Sequence, residues 1–318
     1  MTNLPSVTII TATYKKFENV YKTIQSVLDQ DYMNIEYIIT DDGSEIFPEN
    51  DIRSYIEKNK KNENISITIM HHENWGSVKN LKNAVQNSTG KYVFMLSCGD
   101  YFYNDHIVTD IVDIFIKTKS DLIVTSRLMY DLDGNKRCLQ PHYFERSLLK
   151  RKNTASKQYR FYLSGRIWDM ASGSVMYYTR SILEKYGIFD EGYRLLEDAP
   201  FLEKYLWENK IYMAYDLISI YYEDGGVSSA SGNNVNSIFS NDFNNFKYKQ
   251  RFDHYKQLDN RTKRILRYSK ELHFEKKGIK KYLLYIRYID VVIPNMLFKA
   301  FRNISYKLDS WIIKSKKI

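Results

Sequence analysis

Two cysteines, Cys98 and Cys138, are all that the 318 residues contain, and they form neither a repeated metal-binding spacing nor a disulfide framework. A reducing compartment suits such a chain. Long apolar runs are missing too: no stretch reaches the roughly 18 residues of a membrane span. The best contender, "YLLYIRYIDVVIPNMLF", is interrupted by Arg287, Asp290 and Pro294, which makes it a surface or packed helix. The opening "MTNLPSVTIITATY" shows no basic stretch ahead of an apolar core and a small-residue cleavage site, so no secretory signal is expected. No G-x-G-x-x-G follows a strand candidate, and "NSTGKY" lacks both the earlier glycine and the Ser or Thr after Lys that a phosphate loop needs. Dehydrogenase and P-loop nucleotidase chemistries drop out. There is no internal repeat, no low-complexity tract, and no histidine between His142 and His254.

What is present is a core-forming composition, 43% hydrophobic and 15% aromatic, which excludes general disorder. The length fits one large domain with an extension, or two domains. The net charge of +9 is unevenly spread: from Phe246 to Ile318 there are 20 Lys and Arg against 6 Asp and Glu, so this segment carries +14 and the remainder −5. A mildly acidic body bears a strongly basic tail.

Along the first half, apolar strand candidates ("VTIITAT", "EYIITDDG", "ISITIMHH", "YVFMLS", "DLIVTS") alternate with amphipathic segments, the pattern of an α/β layer fold with a mostly parallel sheet. Val20, Ile24, Val27 and Leu28 follow the spacing of a buried helix face, and "DIRSYIEKNK" reads as a second helix. From about Leu128 to Arg166 periodicity weakens, and loops with short helices are expected over one end of the sheet. Strand, helix, loop and helix return across "ASGSVMYYTRSILEKYGIFDEGYRLLEDAPFLEKYLWENK", followed by the strand "IYMAYDLISIYYEDGG". From about Ser237 the chain reads as helical, and Pro294 is expected to kink or divide the last helix. Three places put acids at strand or helix ends: Asp41 and Asp42, Asp100, and Glu197 with Asp198. In an open α/β sheet the ligand crevice lies beyond the carboxyl ends of the strands, so these acids can converge for a metal-dependent group transfer.

The order and content of four segments resemble the inverting, family 2 glycosyltransferases of the GT-A fold. These are "VTIITATYKKFENVYKTIQSVLDQ", "EYIITDDGS", "NWGSVKNLKNAVQNSTGKYVFMLSCGDYF" and "GSVMYYTRSILEKYGIFDEGYRLLEDAPF", and the likeness runs from about Ser6 to Ser229. It implies a GT-A catalytic domain over 1–235, with a donor half to about 128 and an acceptor half from about 129, then a helical basic extension over 236–318. It implies nucleotide contacts from Thr13 and Tyr14, the latter stacking on the base, and from Asp42, matching the acid that accepts a hydrogen bond from uracil. Asp41 would support the strand end, Gly43 would permit the turn, and Lys82 stands near a basic residue that often faces the diphosphate. Taken without the family, Asp41 and Asp42 are equally a solvated turn before a glycine, and Lys82 a solvated helix face.

Asp100 aligns with the direct metal ligand of the family's Leu-Asp-x-Asp-Asp turn, but here Leu96 is followed by Ser97, Cys98, Gly99 and Asp100. Mn²⁺ or Mg²⁺ is the implied cofactor, and such cations bind with one or two carboxylates plus waters and substrate phosphates. Where many members place a histidine ligand this chain has Glu223 and Asp224, which either substitute for it or are solvated turn acids. Asp198 is the implied catalytic base, with Glu197 orienting it or binding acceptor; a first-turn helix acid is the alternative for Asp198. Trp75 and Trp168 are candidate sugar-stacking rings, and "YRFYLSGRIWDMASG" is the candidate acceptor segment.

The tail admits packing on the body, association with an anionic membrane surface, or nucleic-acid binding. The first two together are favoured, since no nucleic-acid motif accompanies the charge. The expected protein is therefore a cytoplasmic glycosyltransferase, peripheral on the inner face of the membrane. It would move a hexosyl or N-acetylhexosaminyl group from a nucleotide diphosphate sugar, a UDP-sugar by the Asp42 match, to a capsule-type surface polysaccharide or lipid-linked oligosaccharide. The alternative is a catalytically weak or inactive nucleotide-sugar-binding partner subunit, suggested by the depleted metal turn.

Overall fold

The computed structural model describes residues 4–131, 134–165, 170–223, 236–275 and 278–316. Among them nine strands form one sheet: β1 (Val7–Thr13), β2 (Ile35–Asp41), β3 (Ser66–His71), β4 (Tyr92–Met95), β5 (Tyr101–Phe102), β6 (Leu122–Tyr130), β7 (Lys136–Gln140), β8 (Met176–Thr179) and β9 (Tyr212–Glu223). The helices of the body are α1 (Val20–Leu28), α2 (Glu49–Asn59), α3 (Ser77–Gln86), α4 (Ile107–Thr118), α5 (Tyr143–Lys150), α6 (Ala155–Leu163), α7 (Arg180–Lys185) and α8 (Asp198–Glu208). Those of the tail are α9 (Ser237–Tyr248), α10 (Asn260–Phe274), α11 (Ile279–Arg287) and α12 (Ile289–Lys316).

The sheet runs β3-β2-β1-β4-β8-β6-β9-β5, with β7 paired to β6. Its first four strands are parallel, and β6 is parallel to β9; β8 enters antiparallel between β4 and β6, and β5 antiparallel on β9. The inner strands β1, β2 and β4 of the parallel part are covered on both faces, which is why β1 reads as an almost unbroken buried run, while β3 forms an exposed edge. Buried threonines on β1 keep their hydroxyls satisfied across the sheet: Thr8 donates to Glu36 Oε2 at 2.6 Å and Thr13 to Asp41 Oδ1 at 2.8 Å. The predicted face of α1 is buried as Val20, Ile24, Val27 and Leu28, together with Thr23. These pairings put the carboxyl ends of β1, β2, β6 and β9, and the turn after β4, along one edge of the molecule.

Two expectations change in detail. The weakly periodic stretch from about 128 contains a hairpin, because β6 extends to Tyr130 and folds back as β7, followed by α5 and α6. The tail is divided at Tyr288, between α11 and α12, whereas Pro294 sits inside α12. Tyr288 is buried with Leu284 and Val291 in a small cluster of its own, so packing sets the break and the proline lies six residues beyond it.

Helix α12 docks through polar groups supplied to the start of α5. Asp309 Oδ2 accepts the Tyr143 N–H at 3.0 Å and Ser305 Oγ accepts the Phe144 N–H at 3.1 Å, satisfying donors that have no partner within the helix. Arg302 reaches the fully buried Glu145 carboxylate at 3.0 Å, and Asp309 lies 3.4 Å from His142 Nδ1. Asp309→Ala therefore removes a buried acceptor from the Tyr143 N–H at the helix start and is expected to destabilise the fold by about 1–2 kcal/mol. Leu308→Ala, on the exposed side of the same helix, is expected to change stability by no more than about 0.5 kcal/mol. Thermal unfolding of the two variants side by side checks this.

Candidate active site

The crevice is assembled from segments far apart in sequence. At the end of β1 and β2 the fully buried Asp41 carboxylate accepts from Thr13 Oγ1 at 2.8 Å, Ser44 N at 2.7 Å and Ser44 Oγ at 2.8 Å, with His71 Nδ1 at 2.9 Å. Every contact of Asp41 is internal, so it holds the strand ends and turn together. Gly43 turns with φ of +75°, and a Cβ there would lie 2.4 Å from the Asn74 backbone nitrogen, so only glycine fits.

Asp42 points the other way, toward the start of α3. It accepts the N–H groups of Trp75 at 2.8 Å and Gly76 at 3.0 and 3.1 Å, and its own N–H donates to the Thr13 carbonyl at 3.0 Å. Burial raises its carboxyl above the usual range, while the two backbone donors oppose that. Each carboxylate oxygen has two lone pairs, so a ligand donor can still be accepted. Tyr14, which follows Thr13, is 42% exposed, with the Lys15 ammonium 5.2 Å from its ring centroid. Trp75 is committed to a stack with His72 at 3.8 Å and to the Lys79 ammonium at 4.4 Å. Lys82 is bound to Glu191 at 2.6 Å, and no described contact ties it to the other candidates. Trp168 and Asp224 lie outside the described residues.

Asp100 is the most unusual group here. It is 3% exposed; Oδ1 accepts the Glu223 N–H at 3.0 Å, and Oδ2 is buried without a protein partner. Burial pushes its carboxyl up to about 7, opposed by that N–H and by the Arg127 charge, and the Glu223 charge adds to the rise. The Glu223 carboxylate sits directly over Gly99, where a Cβ would lie 2.3 Å from Oε2. It is held by Asn19 Nδ2 at 3.0 Å and by the Tyr130 hydroxyl at 3.4 Å. Asp100 and Glu223 thus present two hard oxygen donors at the ends of adjacent strands, one with an unused buried lone pair. That set fits a divalent cation completed by water and phosphate oxygens. Among the described residues no group of three or more His, Cys, Asp or Glu could hold a metal. Cys98 is a poor donor for such a cation, which prefers oxygen to sulfur, and its Sγ is directed to the Lys16 carbonyl at 3.2 Å.

Asp198 opens α8 beside Glu197. Its Oδ2 accepts the Gly173 N–H at 2.9 Å and its Oδ1 the Ala199 N–H at 2.7 Å. Ser77 Oγ, at the start of α3, donates to Glu197 Oε2 at 3.4 Å. Burial raises both carboxyls; the Asp198 charge raises Glu197 further, whereas the backbone donors and Arg127 favour the charged form of Asp198. Both oxygens of Asp198 are thus met by N–H donors, whereas the donor found for Glu197 is the more distant Ser77 hydroxyl.

Arg127 is the group that reading the sequence missed. It lies buried on β6, donating through Nη1 to Ser172 Oγ at 2.8 Å and Ser174 Oγ at 2.9 Å, and through Nε to Gln140 Oε1 at 2.8 Å. Its guanidinium covers the Tyr222 ring at 3.9 Å. The two serines flank Gly173, so Arg127 holds the N–H that faces Asp198, and its charge acts on Asp100 as well. A single arginine inside the apolar run "LIVTSRLMY" was the available signal, because a buried charge needs partners waiting for it. Asp242 on α9 completes the frame, accepting the N–H groups of Arg194 at 2.8 Å and Leu195 at 2.7 Å just ahead of Glu197.

A family model described as Glycosyl transferase family 2 matches residues 8–187. An uncharacterized glycosyltransferase of Rickettsia prowazekii (strain Madrid E) is 27% identical over 218 residues, 67% of this chain and 63% of that protein. The chain thus spans under two thirds of that relative's length. Among solved structures, S. aureus TarS 1–349 in complex with UDP-GlcNAc superposes with a TM-score of 0.59 at 18% identity, covering 89% of this chain and 79% of that one. The mannosyltransferase PcManGT from Pyrobaculum calidifontis, in complex with GDP-Man and Mn²⁺, gives 0.56 at 13% identity, covering 98% and 87%. At such identities the likeness concerns the fold alone, which is the expected α/β GT-A architecture with a helical C-terminal region.

Gly99 is the residue whose replacement tests the carboxylate pair most directly. With φ of +103° and the Glu223 carboxylate in the place of a Cβ, Gly99→Ala must displace Glu223. The expected loss is about 1–3 kcal/mol of stability, together with weaker stabilisation by added Mn²⁺. Thermal unfolding with and without the cation measures both.

Proposed function

The chain belongs to glycosyl transferase family 2, and on that premise we propose that it is an inverting glycosyltransferase using a nucleotide diphosphate sugar, a UDP-sugar by the Asp42 and Tyr14 placement. The transferred group is a hexosyl or N-acetylhexosaminyl unit, and the acceptor is a hydroxyl of a surface polysaccharide or lipid-linked oligosaccharide at the inner face of a membrane. The observation that carries this reading is the placement of Asp198 beside Glu197, its two carboxylate oxygens accepting the Gly173 and Ala199 N–H groups and the Arg127 charge favouring its ionised form. Two acids side by side, one of them supplied with donors that favour its ionised form, suit a general base and its supporting partner.

In the proposed reaction Asp198 takes the proton of the acceptor hydroxyl as that oxygen forms its bond to the anomeric carbon. The bond from that carbon to the diphosphate breaks on the opposite face. Glu197 orients the base or binds the acceptor. Tyr14 stacks on the base of the donor, and Asp42 accepts from it while remaining fixed by Trp75 and Gly76. Asp100 and Glu223 would hold a divalent cation, which when bound offsets negative charge on the departing diphosphate. That TarS is complexed with UDP-GlcNAc and PcManGT with GDP-Man and Mn²⁺ supports a donor and cation of these classes. We further divide the chain into a catalytic unit through about residue 235 and a helical extension beyond it, whose first helix braces the loop ahead of Glu197.

The depleted metal turn, with Ser97 and Gly99 where the family has acids, favours one other reading: a nucleotide-sugar-binding partner subunit without turnover. Cation-dependent hydrolysis of UDP-sugars by the wild-type protein, abolished in Asp100→Ala, excludes it; binding without hydrolysis or transfer supports it.

Asp198→Asn is expected to lower turnover by about 10²- to 10⁴-fold while leaving UDP affinity within a factor of about two, because Asp198 touches acceptor and not nucleotide. Transfer at the wild-type rate would remove it from the role. Arg127→Met takes away a cation that holds the Asp198 carboxyl down. The base should then require higher pH to ionise, and the acidic limb of kcat/KM should move to higher pH with the alkaline limb in place.

A further inference from the structure

Helices α11 and α12 carry an apolar face that the body leaves uncovered. On α11, Ile279, Tyr282, Leu283 and Ile286 recur three and four residues apart and are 58–78% exposed. On α12, Ile293, Leu297, Ile304, Leu308 and Trp311 form a stripe 50–67% exposed. The opposite side of α12 is already used: Phe298, Ser305, Asp309 and Ile313 are buried, the middle two capping α5. The stripe is therefore separate from the face by which α12 packs on the body. An exposed apolar surface of this extent marks an interaction site.

Charge decides the occupant. From Gly278 to Ile318 the chain has nine Lys and Arg and two Asp. Neither aspartate offsets that surface, since Asp309 is buried against α5 and Asp290 is paired with Arg264 at 2.8 Å. Lys280, Lys299 and Lys307 are exposed on the same two helices as the apolar residues. A second copy of the chain would bring the same positive charge against this one. An anionic bilayer surface supplies both an apolar layer and a countercharge. The 28-residue α12 lies in the surface plane under this arrangement, and no described helix is long and apolar enough to cross a membrane.

We propose that α11 and α12 form a docking surface for an anionic lipid leaflet, with Leu283, Ile286, Leu297, Ile304, Leu308 and Trp311 at the acyl boundary and the lysines among the headgroups. This gives the membrane placement proposed above its contact residues and lipid class. It is tested without turnover, so it fails or stands separately from the transfer reaction.

The test is flotation of the full chain with phosphatidylcholine vesicles, alone or with about 30 mol% phosphatidylglycerol. Flotation is expected with the anionic vesicles only, falling as salt rises from about 0.05 to about 0.5 M. A blue shift of tryptophan emission should accompany binding and disappear in Trp311→Phe. The double variant Leu297→Glu and Leu308→Glu should keep its unfolding temperature, because both side chains are exposed, and bind at least about tenfold more weakly. Lys299→Gln and Lys307→Gln should each weaken binding about fivefold. The proposal is overturned if the protein stays down with anionic vesicles, binds neutral vesicles equally, or floats unchanged as the glutamate variant. A concentration-dependent dimer dissolved by the glutamates, without vesicle binding, would assign the face to a second copy instead.

Discussion

Asp42, Asp100 and Asp198 each accept hydrogen bonds from backbone N–H groups on a distant segment: Trp75 and Gly76 for the first, Glu223 for the second, Gly173 for the third. A carboxylate taken out of water without donors is too costly to keep, and at the ends of strands the donors available are backbone groups of incoming loops. The consequence runs in both directions. The acids become tolerable where they are, and the loops are fixed in the only positions that satisfy them.

This constraint explains how a crevice made of many short pieces has a defined shape. The start of α3 is drawn to Asp42, the end of β9 to Asp100, and the turn before β8 to the first residue of α8. Arg127 joins two of these anchors from the middle of β6, its guanidinium shared between the serines that flank Gly173 while its charge reaches Asp100. The same logic extends into the tail. Asp242 braces the loop ahead of Glu197 and Asp309 caps α5, so the helices beyond residue 236 are tied to the body by the same kind of bond. What they leave over is the apolar and basic side of α11 and α12.

Much of this could be read before any coordinates. The uninterrupted runs of β1 and β2 announced a parallel sheet because both faces are covered, and the spacing of Val20, Ile24, Val27 and Leu28 announced α1. Asp42, Asp100, Glu197 and Asp198 stood out because acids at element ends are local features. The β6–β7 hairpin was not legible: its second strand, Lys136–Gln140, has no alternation and is stabilised by pairing alone. Proline signalled a break at residue 294, while the actual break follows from the burial of Tyr288 against Leu284 and Val291, which no local rule anticipates.

Sequence by itself determined the elements, the polarity of their faces, the basic character of the tail and the residue types at the strand ends, since each depends on near neighbours along the chain. Tertiary structure alone decided which of those residues face one another. Lys82 is engaged by Glu191, Trp75 by His72 and Lys79, and Glu223 is placed over Gly99. It also decided which oxygens are satisfied: Asp41 and Asp100 are the same residue type near strand ends, yet one is saturated with donors and the other keeps a buried oxygen unpartnered. The reason is physical. Desolvation and hydrogen bonding act through space, and the N–H that meets Asp100 lies 123 residues away along the chain.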